Sequence, residues 1–183
     1  MKTNRLSKTI EAALNAQMTK EAYASQIYLA QASWAAGEGY EGIGNFLFRH
    51  AHEERNHMMK FLEYILNRGG KVAIAAIAAP GKNPSNLQEC FNKVFEQEVD
   101  NTTSIYKIVK MSMDEEDWAT WNFMQWFVKE QVEEETLSLN LLDKIKIAGG
   151  EKATDEALLE LDKELKSMAD EAPSARNATT ENP

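Results

Sequence analysis

Four long stretches of the chain repeat apolar residues at steps of three and four, the spacing that lines one face of an α-helix. The first carries Leu14, Met18, Tyr28 and Ala32, and the second Phe46, Leu47, Phe61 and Ile65. The third carries Phe91, Phe95, Ile105 and Val109, and the fourth Met124, Phe127 and Leu141. The alternation that marks strands is almost absent. Gly37 and Gly39, Gly69 and Gly70, Pro80 to Pro84, and Gly149 and Gly150 punctuate the pattern. They predict helices over about 7–36, 41–68, 86–113 and 115–148, with a short fifth over about 154–168.

Each of the four main helices spans about 40 Å, and only the connection KVAIAAIAAPGKNPSN is long. Short links join antiparallel neighbours, whereas a long one can run the length of a bundle. The predicted fold is therefore all-α: a four-helix bundle with a long crossover between the second and third helices, plus a short fifth helix. The fifth shows a stripe of Leu158, Leu161, Leu165 and Met168 that needs a surface to cover it, either another subunit or the end of its own bundle. Residues 1–168 read as one domain. Residues 169–183, ADEAPSARNATTENP, are small and polar and read as a disordered tail.

Every apolar stripe is interrupted once, near its middle, by polar residues. Glu21 with Ser25 interrupts the first, Glu54 with His57 the second, Glu98 with Thr102 the third, and Gln131 with Glu134 the fourth. In a bundle of equal helices the midpoints share one level, so these side chains converge inside. A single Glu-x-x-His step, as in HEERNH (52–57), is weak on its own and fits a solvated face as well as a metal site. Four aligned interruptions are a different matter. Buried carboxylates cannot stay as unpaired anions, and the core faces supply no Lys or Arg, so the cluster must take up protons or cations.

The formal charge of −9 disfavours nucleic acid and anionic membranes as partners and is compatible with attracting cations. Cys90 is the only cysteine, which excludes an internal disulfide and any CxxC metal module. There is neither a signal-peptide pattern nor an apolar run of membrane-spanning length, and a reducing cytoplasm is the expected location. His50 and His52 fall off the Glu54 stripe and read as surface or interface residues. Trp118, Trp121 and Trp126 suggest core or interface packing.

Carboxylates with one imidazole are hard, oxygen-rich donors, and iron or manganese suits them better than structural zinc. Carboxylates from four helices describe a two-ion site of the kind built into bundle cores. With ferrous iron, the natural chemistry is reaction with dioxygen. EQVEEE (130–135) adds Glu130, Glu133 and Glu134 along one edge, within reach of Glu53. A third ion beside the pair and an acidic solvated edge both fit that spacing.

At these residues the chain resembles the ferritins, specifically the non-haem bacterial type, over roughly residues 7–168. The stretches that carry the resemblance are KEAYASQIYL (20–29), HEERNH (52–57), FEQE (95–98) and WNFMQWFVKEQVEEE (121–135). The resemblance implies a diiron ferroxidase centre: Glu21, Glu54 and His57 at the first iron, and Glu54, Glu98 and Glu134 near the second. Gln131 and Tyr28 would support these ligands, while Glu53, Glu130, Glu133 and Glu134 match an extra iron site. It also implies a homo-oligomer, a hollow 24-mer shell, with ferrous iron and dioxygen or peroxide as reactants. Haem is not expected, because Arg55 follows Glu54 where a haem-binding relative would carry methionine.

Three function classes remain open on these grounds. One is an iron store with ferroxidase activity, another a diiron oxidase or peroxidase without storage. The last is a structural bundle with incidental metal binding.

Overall fold

The computed structural model describes residues 4–167. Four long helices run α1 (Lys8–Gly37), α2 (Glu41–Asn67), α3 (Leu87–Asp114) and α4 (Trp118–Ile147), followed by a 3₁₀ turn at Gly150–Lys152 and α5 (Asp155–Ser167). The expected tail over 169–183, and Met168 of the expected stripe, lie outside the described residues. Among the described residues, no helix is long and apolar enough to cross a membrane.

Local chemistry sets the helix starts. Ser7 Oγ accepts from Ile10 N, Asn86 Oδ1 from Glu89 N, and Asp117 Oδ1 from Thr120 N, each satisfying an amide that the first turn leaves without an intrahelical partner. The fourth helix thus begins at Trp118 rather than near 115, because Glu116 takes a left-handed backbone (φ 54°) and Asp117 serves as cap. Short turns join α1 to α2 and α3 to α4, and these pairs pack most closely, with α3 also against α1. Residues 68–86 form the long crossover without regular structure beyond turns and bends.

The apolar interior falls into two bodies. Tyr28, Phe46, Leu47, Phe91 and Leu141 belong to one, while Leu14, Met18, Phe61, Ile105, Met124 and Phe127 belong to the other. The buried polar residues Gln17, Glu21, Glu54, His57, Glu98, Asn101, Gln131 and Glu134 occupy the middle turns of the same four helices. Packing above and below fixes that layer: Phe61 stacks on Phe127 at 4.2 Å, and losing such a ring from a core costs about 3–5 kcal/mol.

One stripe differs from expectation. On α3 the buried face runs Leu87, Cys90, Phe91, Val94, Glu98, Asn101, Thr102, Ile105 and Ile108, whereas Phe95 and Val109 are only half-buried. Consecutive steps of four drift off a face that repeats every 3.6 residues, and the intervening three-residue steps correct the drift.

The fifth helix covers the end of its own bundle. Leu161 and Leu165 join the apolar cluster around Ile43 and Phe46, and Asp162 Oδ1 accepts from Ile43 N at 2.9 Å. The approach requires glycine at position 42, where a Cβ would come within 1.9 Å of the Asp162 carbonyl oxygen.

Candidate metal centre

Glu21 on α1 and Glu54 and His57 on α2 form the innermost group, with one ligand atom from each lying within 4.8 Å of the others. All three side chains are buried. Glu54 and His57 meet because they stand one helical turn apart, and Glu21 reaches them because α1 packs directly on α2. Glu54 Oε2 and His57 Nδ1 are 3.6 Å apart, too far for a hydrogen bond, and neither atom has another partner. A cation between them would satisfy both.

Two further groups adjoin the first. Glu53, His57 and Glu130 form one, and His50, Glu53 and Glu134 the other, each with ligand atoms within 4.8 Å. His57 links the first group to the second, and Glu53 links the second to the third. Glu133 joins none of them: it is exposed and pairs with Lys129 at 3.3 Å.

Glu98 lies in the same layer but is held by hydrogen bonds. Tyr28 Oη donates to its Oε1 at 2.7 Å, and Gln131 Nε2 to its Oε2 at 3.3 Å. No three-residue group containing Glu98 closes within 4.8 Å among the described residues, so one ion shared by Glu54, Glu98 and Glu134 would draw these carboxylates together.

The electrostatics are those of a buried acidic cluster with His57 as its basic member. Among the described residues no buried one is Lys or Arg. Burial, then the nearby Glu98, pushes the Glu54 carboxyl well above its ordinary range, and the same two causes act on Glu134. Glu98 is pushed up to about 7, chiefly by burial. Burial works to lower His57, but its contacts with Glu130 and Glu54 outweigh this and hold it well above the usual imidazole value. Uptake of a divalent cation would replace protons on these groups.

His50 corrects the expectation of a surface residue. It is buried, stacks on Tyr28 at 5.4 Å and tilts against Phe46 at 4.3 Å, and burial lowers it to about 4. A neutral imidazole is the form that binds metal. The available signal was the spacing 50, 53, 54, 57, which holds all four residues to one broad helical face. His52 is exposed, as expected. Trp126 is partly exposed; its ring meets His57 edge-on at 5.3 Å, with Lys60 Nζ 4.2 Å from its centre.

Known proteins share the fold and much of the sequence. A family model described as a ferritin-like domain matches residues 11–148. A bacterial non-haem ferritin of Campylobacter jejuni is 39% identical over 144 residues, covering 79% of this chain and 86% of the relative. One from Escherichia coli is 36% identical over 155 residues, covering 85% of this chain and 92% of the relative. An open pore ferritin from the archaeon Archaeoglobus fulgidus superposes with a TM-score of 0.85 at 38% identity, covering 90% of this chain and 98% of that one. With the family model, the sequence identities and the superposition in agreement, the chain belongs to the ferritin family, non-haem bacterial type.

Proposed function

We propose that the protein is a cytoplasmic ferroxidase that also stores its product. It oxidises ferrous iron with dioxygen or peroxide at a diiron centre within each bundle, and holds ferric oxyhydroxide inside a shell of twenty-four subunits. The observation that carries this reading is the buried Glu21–Glu54–His57 group, whose Glu54 and His57 atoms lack partners and whose charge no buried Lys or Arg offsets. The names of the relatives, bacterial non-haem ferritins, support it.

In this reading Glu21, Glu54 and His57 take the first ferrous ion, and Glu54, Glu98 and Glu134 the second. Each ion gives up one electron, and the pair of electrons with two protons converts dioxygen to hydrogen peroxide. Peroxide in turn takes two further electrons from two more ferrous ions and, with two protons, becomes two molecules of water. Tyr28 and Gln131 hold Glu98 in place. Glu53, Glu130 and Glu134 serve a third iron, which Glu133 reaches only by turning away from Lys129.

The test pairs native mass with anaerobic ferrous titration. A large shell binding two or three ions per subunit is the expected result. Tight binding by a small species would favour an oxidase without storage, and absence of binding would reject the centre.

A further inference from the structure

Asn101 and Gln17 have no part in the roles above, yet both are buried in the polar layer. Gln17 stands one turn before Glu21 on α1, and its Nε2 donates to Glu21 Oε1 at 2.7 Å. Asn101 reaches the same carboxylate from α3, its Nδ2 donating to Glu21 Oε2 at 3.2 Å. The two amides also meet, Gln17 Nε2 donating to Asn101 Oδ1 at 2.5 Å. Asn101 Nδ2 continues to Gln131 Oε1 at 3.4 Å, and Gln131 in turn donates to Glu98. A chain of three neutral amides thus connects Glu21 to Glu98.

We propose that Asn101 and Gln17 are positioning residues that clamp both oxygens of Glu21 in the orientation that receives the first metal ion. This inference rests on the metal centre proposed above. The direction of each amide is fixed by its neighbours: turning Asn101 over would set its oxygen against the Glu21 carboxylate and its nitrogen against that of Gln17. Packing alone does not call for an amide here, since Ile105 and Ile108 fill the following turns of the same face with hydrocarbon. Each carboxylate oxygen accepts one amide hydrogen and keeps a lone-pair direction for a cation. The amides add no charge, so the carboxylate is held without its attraction for a cation being cancelled, as a lysine would do. Groups that orient a metal ligand in this way commonly change affinity by about 10–100-fold when removed.

The experiment uses the assembled protein and cobalt(II) alone, under anaerobic conditions, reading binding by calorimetry and by the visible ligand-field band. Asn101→Leu should weaken the first binding event about tenfold or more and alter the band. Ile105→Val, one turn further along α3, serves as a packing control and should bind as the wild type does. Asn101→Ala is read in the same way should the leucine variant fail to assemble, and Gln17→Leu should weaken binding in the same direction. Wild-type affinity and spectrum in the Asn101 variants would overturn the clamp, as would an equal loss in Ile105→Val. Failure of the wild type itself to bind cobalt would instead reject the metal centre.

Discussion

The Tyr28 hydroxyl donates a 2.7 Å hydrogen bond to Glu98 Oε1 from the facing helix, and both side chains are buried. Burial and the Glu98 charge hold the phenol well above its ordinary value, so it stays protonated and remains a donor. The same bond opposes the burial that lifts Glu98 to about 7. Tyr28→Phe should therefore raise Glu98 further and move the midpoint for binding a second zinc(II) ion to higher pH by about one unit. Zinc titrations between about pH 6 and 8.5 read that shift. An unmoved midpoint would show that the phenol does nothing for this carboxylate.

Glu54 Oε2 and His57 Nδ1 face each other at 3.6 Å and neither atom has a hydrogen-bond partner, so removal of either side chain should disable the first position. In Glu54→Ala and His57→Ala the rapid phase of ferrous oxidation should fall by about a hundredfold or more. Assembly should survive, because deleting Glu54 also relieves buried charge. Stopped-flow absorbance after mixing with ferrous iron gives the rate, and wild-type kinetics in both variants would refute the centre. Since Glu54 is assigned to both ions, its loss should be at least as severe as that of His57.

The carboxylate layer also predicts how the metal-free protein responds to pH. Glu98 titrates near 4.5 in the unfolded chain and at about 7 when folded, so in that interval the fold holds a proton that the unfolded chain has released. Stability from such a group is full below about 4.5 and is lost as pH rises through about 7. Glu54 and Glu134, also raised, carry the same sign, and so does raised His57. His50 is lowered to about 4; its contribution is present above 6.5 and is lost only as pH falls towards 4, leaving it silent on the alkaline side. Chelator-treated protein should lose roughly 1 kcal/mol between about pH 6.5 and 8 from Glu98 alone. Zinc should reverse the slope, because it binds the deprotonated layer. Denaturant melts with and without the metal test this, and a metal-free protein that gains stability over the interval would contradict it.

Much of the fold was legible because helical periodicity and glycine punctuation are local properties. Leu14, Met18, Phe61 and Phe127 could be assigned to the core from spacing alone, and they are buried there. Glu21, Glu54, His57, Glu98, Gln131 and Glu134 could be placed in one layer because a bundle aligns the midpoints of its helices. What remained hidden was set by angles finer than that pattern resolves. His50 and Asn101 lie at the edges of their stripes, where a modest rotation decides between solvent and interior. Gln17 precedes Glu21 by one turn, but its role depends on Asn101 from a helix 84 residues away in sequence. Glu133 shares an acidic run with Glu130 and Glu134, and only the helix rotation shows that it faces outward.

That rotation leads to the last prediction. Glu130 and Glu133 stand three residues apart on α4, but Glu130 Oε1 lies 3.7 Å from His57 Nε2 whereas Glu133 pairs with Lys129 in solvent. His50, from α2, stands 3.7 Å from both Glu53 and Glu134, where a third ion would need a donor. Glu130→Ala and His50→Ala should each reduce anaerobic ferrous binding from three ions per subunit towards two. Neither should change the initial rate of oxidation by more than about twofold, because the Glu21–Glu54–His57 group is left whole. Glu133→Ala should be the mildest of the three, since its carboxylate must first leave Lys129 and an exposed ion pair of that kind is worth only about 0–1 kcal/mol. Calorimetric stoichiometry with ferrous iron separates the cases. If Glu133→Ala loses the third ion while His50→Ala keeps it, the side chain of Glu133 turns inward on binding, and His50 is a packing residue beside Tyr28.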